Sequence, residues 1–174
     1  LQRATIENPC KPAFELLSQA LGINDPISYF NEMSTECMES LPVEKRFFQN
    51  NYAPTGGRMY ITDSNALRID FARNTIEDWN HASLLSPDEY YYLVACIVEG
   101  VPFVSNIAGT YGAFNKIWDA RSNKLFVLID LPIVNNGLNN RSYNEEGTML
   151  LQRISGDILY IDPPYNERQF LPNY

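Results

Sequence analysis

Apolar residues recur at helical spacing along the first half of the chain, and capping signals stand at the ends of the periodic segments. Pro12 opens a predicted helix that Gly22 stops, because proline suits a first helical position and glycine the residue after a helix. Asp25 caps a second predicted helix with Pro26 just inside it. The apolar residues of the two helices are Phe14, Leu16, Leu17, Leu21, Ile27, Phe30, Met33 and Cys37.

Two further helices are predicted in the middle of the chain. Thr62 caps the first, and Arg68 and Arg73 lie off its apolar stripe, so we expect both arginines to be exposed. The segment Ser86-Pro87-Asp88-Glu89 is a capping box that opens the second helix. Its tyrosines 90–92 point in different directions on a helix, which favours core packing over a base-stacking platform. The stripe of the first helix consists of Ala66, Ile69, Ala72, Ile76 and Trp79.

The pattern changes after Lys124, where extended apolar runs replace helical spacing. Strand–helix–strand order is typical of a parallel α/β sheet, whose ligand lies at the carboxyl ends of the strands. We therefore predict an α/β fold in two regions, a mainly helical region over residues 1–124 and part of an α/β sheet over residues 125–174. The predicted elements of the second region are a buried strand or extended segment at 125–129, strands at 141–144 and 158–161, and a helix at 148–154.

The charge and the residue composition of the chain argue against some classes of function. The net charge is −8 and the pI about 4.6, whereas a self-sufficient nucleic-acid binder usually has a basic face. Any basic surface is therefore local, or part of the binding protein lies elsewhere. The three cysteines match no metal-ligand spacing and His81 is the only histidine, so we expect no metal centre. No signal peptide or long apolar run is seen, which predicts a cytoplasmic protein without a membrane span.

Two glycine-containing segments are candidates for phosphate contact. Residues 47–60 predict a loop in which Gly56-Gly57 lets the backbone approach a ligand and Arg58 pairs with a phosphate. A surface loop with a solvated arginine is the alternative. Residues 109–116 predict a turn that opens a helix near Lys116, a setting that suits phosphate contact or forms an ordinary turn.

The tetrapeptide Asp162-Pro163-Pro164-Tyr165 carries the clearest chemistry. It follows the apolar run at 158–161, and its prolines lack amide hydrogens and hold the loop open at a strand end. An acid and a free carbonyl then accept hydrogen bonds from an exocyclic amine, and a tyrosine ring stacks on a flat heterocycle. An enzyme that methylates a flipped-out base needs these groups. The alternative is a turn after a buried edge strand.

These motifs resemble the Dam-like, alpha-class family of DNA adenine methyltransferases. The resemblance covers residues from about Phe47 to Tyr174, and its most specific block is Gly156 to Asn166, which contains the tetrapeptide. The other blocks are Gly57 to Thr62, Asn65 to Asp70 with Arg73, Ile76, Glu77 and Trp79, Glu89 to Leu93, and Tyr111 to Phe114.

The resemblance implies methyl transfer from S-adenosylmethionine to the amino nitrogen of a flipped adenine in double-stranded DNA. It assigns Asp162 and the Pro163 carbonyl, within the loop that Pro164 completes, to the amine, and the Tyr165 ring to the base. It places Glu146 against the cofactor's adenine, with Asp162 at the same site. The fold it implies is a partial Rossmann-like methyltransferase sheet with a largely helical target-recognition insert. Within that insert we assign Arg58, Tyr111 and Lys116 to DNA contacts.

The chain also departs from the family. It has no Asp/Phe-x-Gly-x-Gly cofactor loop and no later strands to complete the sheet. We therefore expect an internal slice of a methyltransferase, from a restriction–modification system, whose missing segments lie in the same or another chain. One alternative is a non-catalytic module for recognition of DNA or a partner. Another is a methyltransferase acting on cytosine, RNA or protein, which Asp162 disfavours because related enzymes tend to carry Ser or Asn there.

Overall fold

The computed structural model describes residues 3–7, 10–107 and 112–162. Short 3₁₀ turns cover Val43–Lys45, Pro54–Gly56, Val101–Val104 and Ala120–Asn123, and Arg3–Glu7 forms a π-helical turn. The α-helices in the described ranges are α1 (Glu15–Leu21), α2 (Pro26–Glu32), α3 (Thr35–Met38), α4 (Phe47–Tyr52), α5 (Asp63–His81), α6 (Pro87–Gly100) and α7 (Gly147–Leu151). Of the helices described, none has the length and apolar character needed to cross a bilayer.

The predicted α/β sheet is wrong for the described residues. They contain no β-strand, and the β-pairing seen among them is an isolated antiparallel bridge between Ile107 and Phe114. Residues 141–144 and 158–161, which were predicted to be strands, form no ladder, and neither do residues 125–129, which were predicted to be a strand or an extended segment. An apolar extended segment becomes a strand only where a neighbouring backbone supplies its hydrogen-bond partners. Here side chains supply those partners to the first segment, and the last is exposed to solvent.

Three of the predicted helix starts, at Asp25, Thr62 and Ser86, are confirmed by their caps. The Asp25 carboxylate accepts from the amides of Ile27 and Ser28, and the Thr62 hydroxyl accepts from the Asn65 amide. Ser86 and Glu89 form the predicted reciprocal capping box at the start of α6. Other boundaries differ. The first helix begins at Glu15 rather than at Pro12, and the helix predicted over residues 148–154 ends at Leu151. The second predicted helix breaks where the backbone extends at Met33, between α2 and α3.

The main core lies between α5 and α6, with α1 and α2 packed against them. Tyr92 has no exposed surface and belongs to this core, and the partly buried Tyr90 packs against it, whereas Tyr91 is 45% exposed. The core packing expected for the tyrosine run is therefore seen at two of its three positions. The hydroxyl of the half-buried Tyr90 donates to Glu77 at 2.6 Å and ties α6 to α5. Other buried core residues are Phe14, Leu17, Phe30, Ile69, Ile76, Trp79, Leu93 and Phe126.

Helix α4 forms where a loop was predicted, because its cap comes from another helix. The residue before it, Arg46, makes no side-chain cap. Instead the fully buried carboxylate of Asp70 in α5 accepts from the amides of Phe48 at 2.8 Å and Gln49 at 2.9 Å. A cap more than twenty positions away leaves no local sequence signal. Asp70 thereby fixes α4 on the surface of α5.

Two asparagine side chains take the place of a neighbouring strand along residues 124–128. Asn65 accepts from the Phe126 amide at 2.8 Å and donates to the Lys124 carbonyl at 2.8 Å. Asn31 accepts from the Leu128 amide at 2.8 Å and donates to its carbonyl at 3.0 Å. A carboxamide offers a donor and an acceptor side by side, so it matches the pairing edge of an extended backbone.

Arg68 completes this cluster from within the core. It is 3% exposed, so the expectation that it lies on the surface is wrong. Its guanidinium donates to the carbonyls of Phe126 at 3.1 Å, Met33 at 2.8 Å and Phe30 at 3.1 Å. The last two lie at the C-terminal end of α2, where unpaired carbonyls and the helix dipole favour a cation. Burial lowers the pKa of Arg68, yet a guanidinium stays charged.

We predict that Asn65→Ala lowers the free energy of unfolding by roughly 2–4 kcal/mol, because it leaves the buried Phe126 amide and the Lys124 carbonyl unpaired. Urea unfolding of the chain measures the change. Asn80→Ala is the matched control, since Asn80 lies on the same helix and its side chain forms no hydrogen bond with another described residue. Equal losses in the two variants would contradict the pairing role of Asn65.

Asp70 predicts a pH dependence. Burial raises the pKa of this carboxyl above its ordinary value of 3.8, and the hydrogen bonds from Phe48 and Gln49 oppose the rise only in part. A raised folded-state pKa means that its contribution to stability is fully present below 3.8 and is lost as the pH rises through the folded-state value. The stability of the wild type relative to Asp70→Asn should therefore fall as the pH rises from 3.8, then level off. A relative stability that rises over this range in urea unfolding would refute the prediction.

Candidate functional site

One buried asparagine joins the two loops that carry predicted DNA contacts. The side chain of Asn106 has no exposed surface, and its Nδ2 donates to the carbonyls of Met59 and Asn115, each at 2.9 Å. Met59 directly follows Arg58, and Asn115 directly precedes Lys116. The structure therefore brings the backbones next to these two candidate residues to a single side chain.

Three more hydrogen bonds complete the surroundings of Asn106. Its Oδ1 accepts from the Asp119 amide at 3.0 Å, its own amide donates to the Tyr60 carbonyl at 2.7 Å, and its carbonyl accepts from the Asn115 amide at 2.9 Å. The stretch from Asn115 to Asp119 is thus tied to Asn106 at both ends. Lys116 lies on the stretch between these two anchors.

Aromatic packing and one arginine support the same framework. The rings of Tyr60 and Phe114 meet edge to face with centroids 4.9 Å apart. Arg121 donates from Nη2 to the Ile107 carbonyl at 2.9 Å, and Ile107 is bridged to Phe114. The third predicted DNA contact, Tyr111, comes between Ile107 and Phe114 in the sequence and lies outside the described residues.

Arg58 and Lys116 are both exposed, as a phosphate contact requires. Arg58 donates from Nη1 to the Asn51 carbonyl at 2.7 Å, near the C-terminal end of α4, which orients the guanidinium without covering it. Within the described part of the chain, Lys116 forms no hydrogen bond or ion pair. The neighbouring Ile117 is 83% exposed.

The glycines before Arg58 serve the chain itself. A Cβ on Gly56 would lie 2.2 Å from the Asn50 carbonyl oxygen, so the close approach that needs glycine is to the backbone of α4. The φ of Gly57 is 74°, in the left-handed region. At Gly56, the place predicted for a ligand is thus taken by the backbone of the protein itself. The helix predicted after residues 109–116 is also absent, and the next helical residues are the 3₁₀ turn Ala120–Asn123.

Glu146, predicted to contact the cofactor, caps α7. Its carboxylate accepts from the amides of Thr148 at 3.1 Å and Met149 at 2.9 Å, and from the Thr148 hydroxyl. These hydrogen bonds, the Thr148 hydroxyl first, hold the pKa of Glu146 below its ordinary value, so the carboxylate is ionised at neutral pH. The side chain is exposed and its role at a cofactor stays a prediction.

The described part of the tetrapeptide predicted to be catalytic is Asp162, an exposed residue. Pro163, Pro164 and Tyr165 lie outside the described residues. The apolar run before Asp162 is exposed too, with Ile158 at 90% and Tyr160 at 82%. In the described ranges no group of three or more His, Cys, Asp or Glu side chains is arranged to hold a metal ion.

The family match decides the wider assignment. The model for D12 class N6 adenine-specific DNA methyltransferases matches residues 5–174. The chain belongs to this family. The predicted resemblance to DNA adenine methyltransferases is thereby confirmed, including the segment that carries Asp162-Pro163-Pro164-Tyr165.

Named relatives agree with the family. The chain is 42% identical over 172 residues to the modification methylase StsI of Streptococcus sanguinis, covering 99% of this chain and 25% of that protein. It is 45% identical over 177 residues to the type II methyltransferase M.FokI of Planomicrobium okeanokoites, covering 100% of this chain and 26% of that protein. The type II methyltransferase M.NlaIII of Neisseria lactamica is 36% identical over 139 residues, which cover 79% of this chain and 42% of that protein.

The chain thus spans about a quarter of the length of the first two relatives. No solved structure matches it. Sequence reasoning found the exposed candidates and missed Asn106, because an asparagine beside a predicted turn has the same local signal whether it is buried or solvated. Its burial follows only from the packing of three segments distant in sequence.

Proposed function

We propose that the chain supplies the recognition framework and the catalytic loop of a site-specific DNA adenine methyltransferase of a restriction–modification system. In this proposal the polypeptide transfers a methyl group from S-adenosylmethionine to the exocyclic amine of adenine in cytoplasmic DNA. The observation that carries the proposal is the family match over residues 5–174, which includes the whole tetrapeptide. The names of the relatives, modification methylase and type II methyltransferase, support it.

The proposed chemistry lies at the adenine amine. The Asp162 carboxylate and the Pro163 carbonyl accept hydrogen bonds from that amine, which keeps its lone pair available for attack. Pro164 keeps the loop open, and the Tyr165 ring stacks on the flipped base. This arrangement needs the base outside the duplex, and the cost of unstacking is offset by contacts in the pocket. The exposed position of Asp162 suits a group that meets a substrate from outside the chain.

Glu146 and residues 151–162 do not enclose a cofactor site by themselves. Both oxygens of Glu146 are taken up by the first turn of α7, and residues 151–162 are exposed throughout. S-adenosylmethionine, which supplies the methyl group, needs an enclosing surface that these residues lack. We therefore assign the rest of the cofactor site to segments beyond the described residues, in the same or another chain.

The exposed apolar run at residues 158–161 supports the assignment of the rest of the cofactor site to other segments. Residues 158–161 are more than half exposed at each position, which is unusual for four consecutive apolar side chains. In the proposed enzyme they pack against the missing segments and bring Asp162 to the edge of a completed site. The position of the Asp162 carboxylate then depends on the contact between residues 158–161 and the missing segments.

Asp162→Ala in the complete polypeptide that carries this chain should abolish methyl transfer, because it removes the carboxylate that accepts a hydrogen bond from the adenine amine and leaves only the Pro163 carbonyl. Binding to duplex DNA should persist. Asp157→Ala is the matched control, since Asp157 is an exposed acid five residues earlier, outside the tetrapeptide, and should retain turnover. Near-normal turnover of Asp162→Ala on unmethylated duplex would remove Asp162 from the chemistry.

Tyr165→Ala should weaken catalysis through lost stacking on the base, worth about 1–3 kcal/mol. Tyr165→Phe keeps the ring and should stay close to the wild type. Steady-state kinetics on unmethylated duplex compare the two variants. A stacking role fails if alanine and phenylalanine give the same kcat/KM.

A further inference from the structure

We propose that Asn106 is a positioning residue for DNA binding, which holds the Arg58 loop and the Lys116 loop as one rigid unit. This inference rests on the proposed function and names a residue of its recognition surface. Asn106 itself is buried and touches no substrate. It acts through the backbones beside the two cations.

The hydrogen bonds of Asn106 suit this role because they use its whole side chain. Nδ2 donates its two hydrogens to the carbonyls of Met59 and Asn115, and Oδ1 accepts a hydrogen bond from the Asp119 amide. A carboxylate could keep only the acceptor, and an apolar residue could keep neither. The loops are therefore joined by a group that common replacements cannot imitate.

The position of these bonds relative to the cations carries the argument further. Asn106 meets the chain one residue after Arg58, one residue before Lys116 and three residues after Lys116. The side chains of Arg58 and Lys116 remain exposed. The hydrogen bonds of Asn106 fix the backbone on the inner side of the loops, and the Arg58 and Lys116 side chains stay available on the outer side. The binding surface is therefore ordered before any ligand reaches it.

The negative net charge of the chain makes the fixed spacing of Arg58 and Lys116 important for DNA binding. With a net charge of −8, the chain attracts DNA only where its cations are concentrated and correctly spaced. A phosphate backbone has a fixed repeat, so two cations contact it together only when their separation is held. Loops that are ordered before binding also avoid the entropy cost of ordering on the DNA.

The first test is Asn106→Ala in the complete polypeptide, with a PCR-made unmethylated duplex of mixed sequence as the probe. Arg58→Ala and Lys116→Ala should each make the plot of log affinity against log salt shallower by about 0.9, the value for one phosphate contact. Asn106→Ala should lose both contacts, so its slope should be shallower by about twice that amount. The KM for the duplex should rise roughly tenfold, the factor for 1.4 kcal/mol, with little change in kcat.

Combined variants separate positioning from general stability. If Asn106 acts through the two cations, then adding Arg58→Ala and Lys116→Ala to Asn106→Ala should cause little further loss. Additive losses in the combined variants would overturn the proposal. Asn24→Ala, an exposed asparagine in the loop before α2, is the control and should leave the salt slope unchanged.

Asn106→Ser, which retains one donor and one acceptor, replaces the alanine variant if the latter does not fold. The single variants of Arg58 and Lys116 need no change at Asn106, and unchanged salt slopes in both would also overturn the proposal. The wild type provides the other reference. Absence of DNA binding by the wild-type polypeptide would refute the proposed function itself. DNA binding that is the same in the wild type and in the Asn106 variant would refute only this inference.

Discussion

The extended backbone after Lys124 has to find hydrogen-bond partners inside a helical protein, and the rest of the structure depends on how it does so. A buried amide or carbonyl without a partner is costly, and no neighbouring strand is present among the described residues. Side chains of Asn31 and Asn65 supply the missing edge. Helices α2 and α5 are thereby joined to the same stretch of chain.

The buried Arg68 strengthens this constraint. A cation in the core without a carboxylate partner would be unfavourable, but its donors reach carbonyls of both α2 and the extended segment. The cluster also reaches the stretch that Asn106 holds, since Asn65 donates to the Ser122 carbonyl at 3.2 Å, in the 3₁₀ turn that follows Asp119. The loops held by Asn106 and the segment that leads toward Asp162 are therefore anchored on one helix, α5.

Local signals predicted the helices well and the pairing of the C-terminal half poorly. Asp25, Thr62 and Ser86 act within their own turns, so the sequence around them was sufficient. Helix α4 depends on a carboxylate in α5, and the segment after Lys124 depends on asparagines up to 97 positions away. An apolar run predicts an extended backbone but does not show whether its partner is a strand or a side chain. The motif at Asp162 was recognisable because its chemistry lies in consecutive residues, whereas the framework around Asn106 has no such continuity.

Methylation of adenine in DNA is the activity proposed for the polypeptide to which this chain belongs. The most direct measurement is transfer of labelled methyl groups from S-adenosylmethionine to unmethylated duplex DNA by the complete polypeptide, followed by chromatography of the nucleosides. Label in N6-methyladenine is the expected result. Label in a methylated cytosine, or in RNA or protein while DNA stays unlabelled, would contradict it.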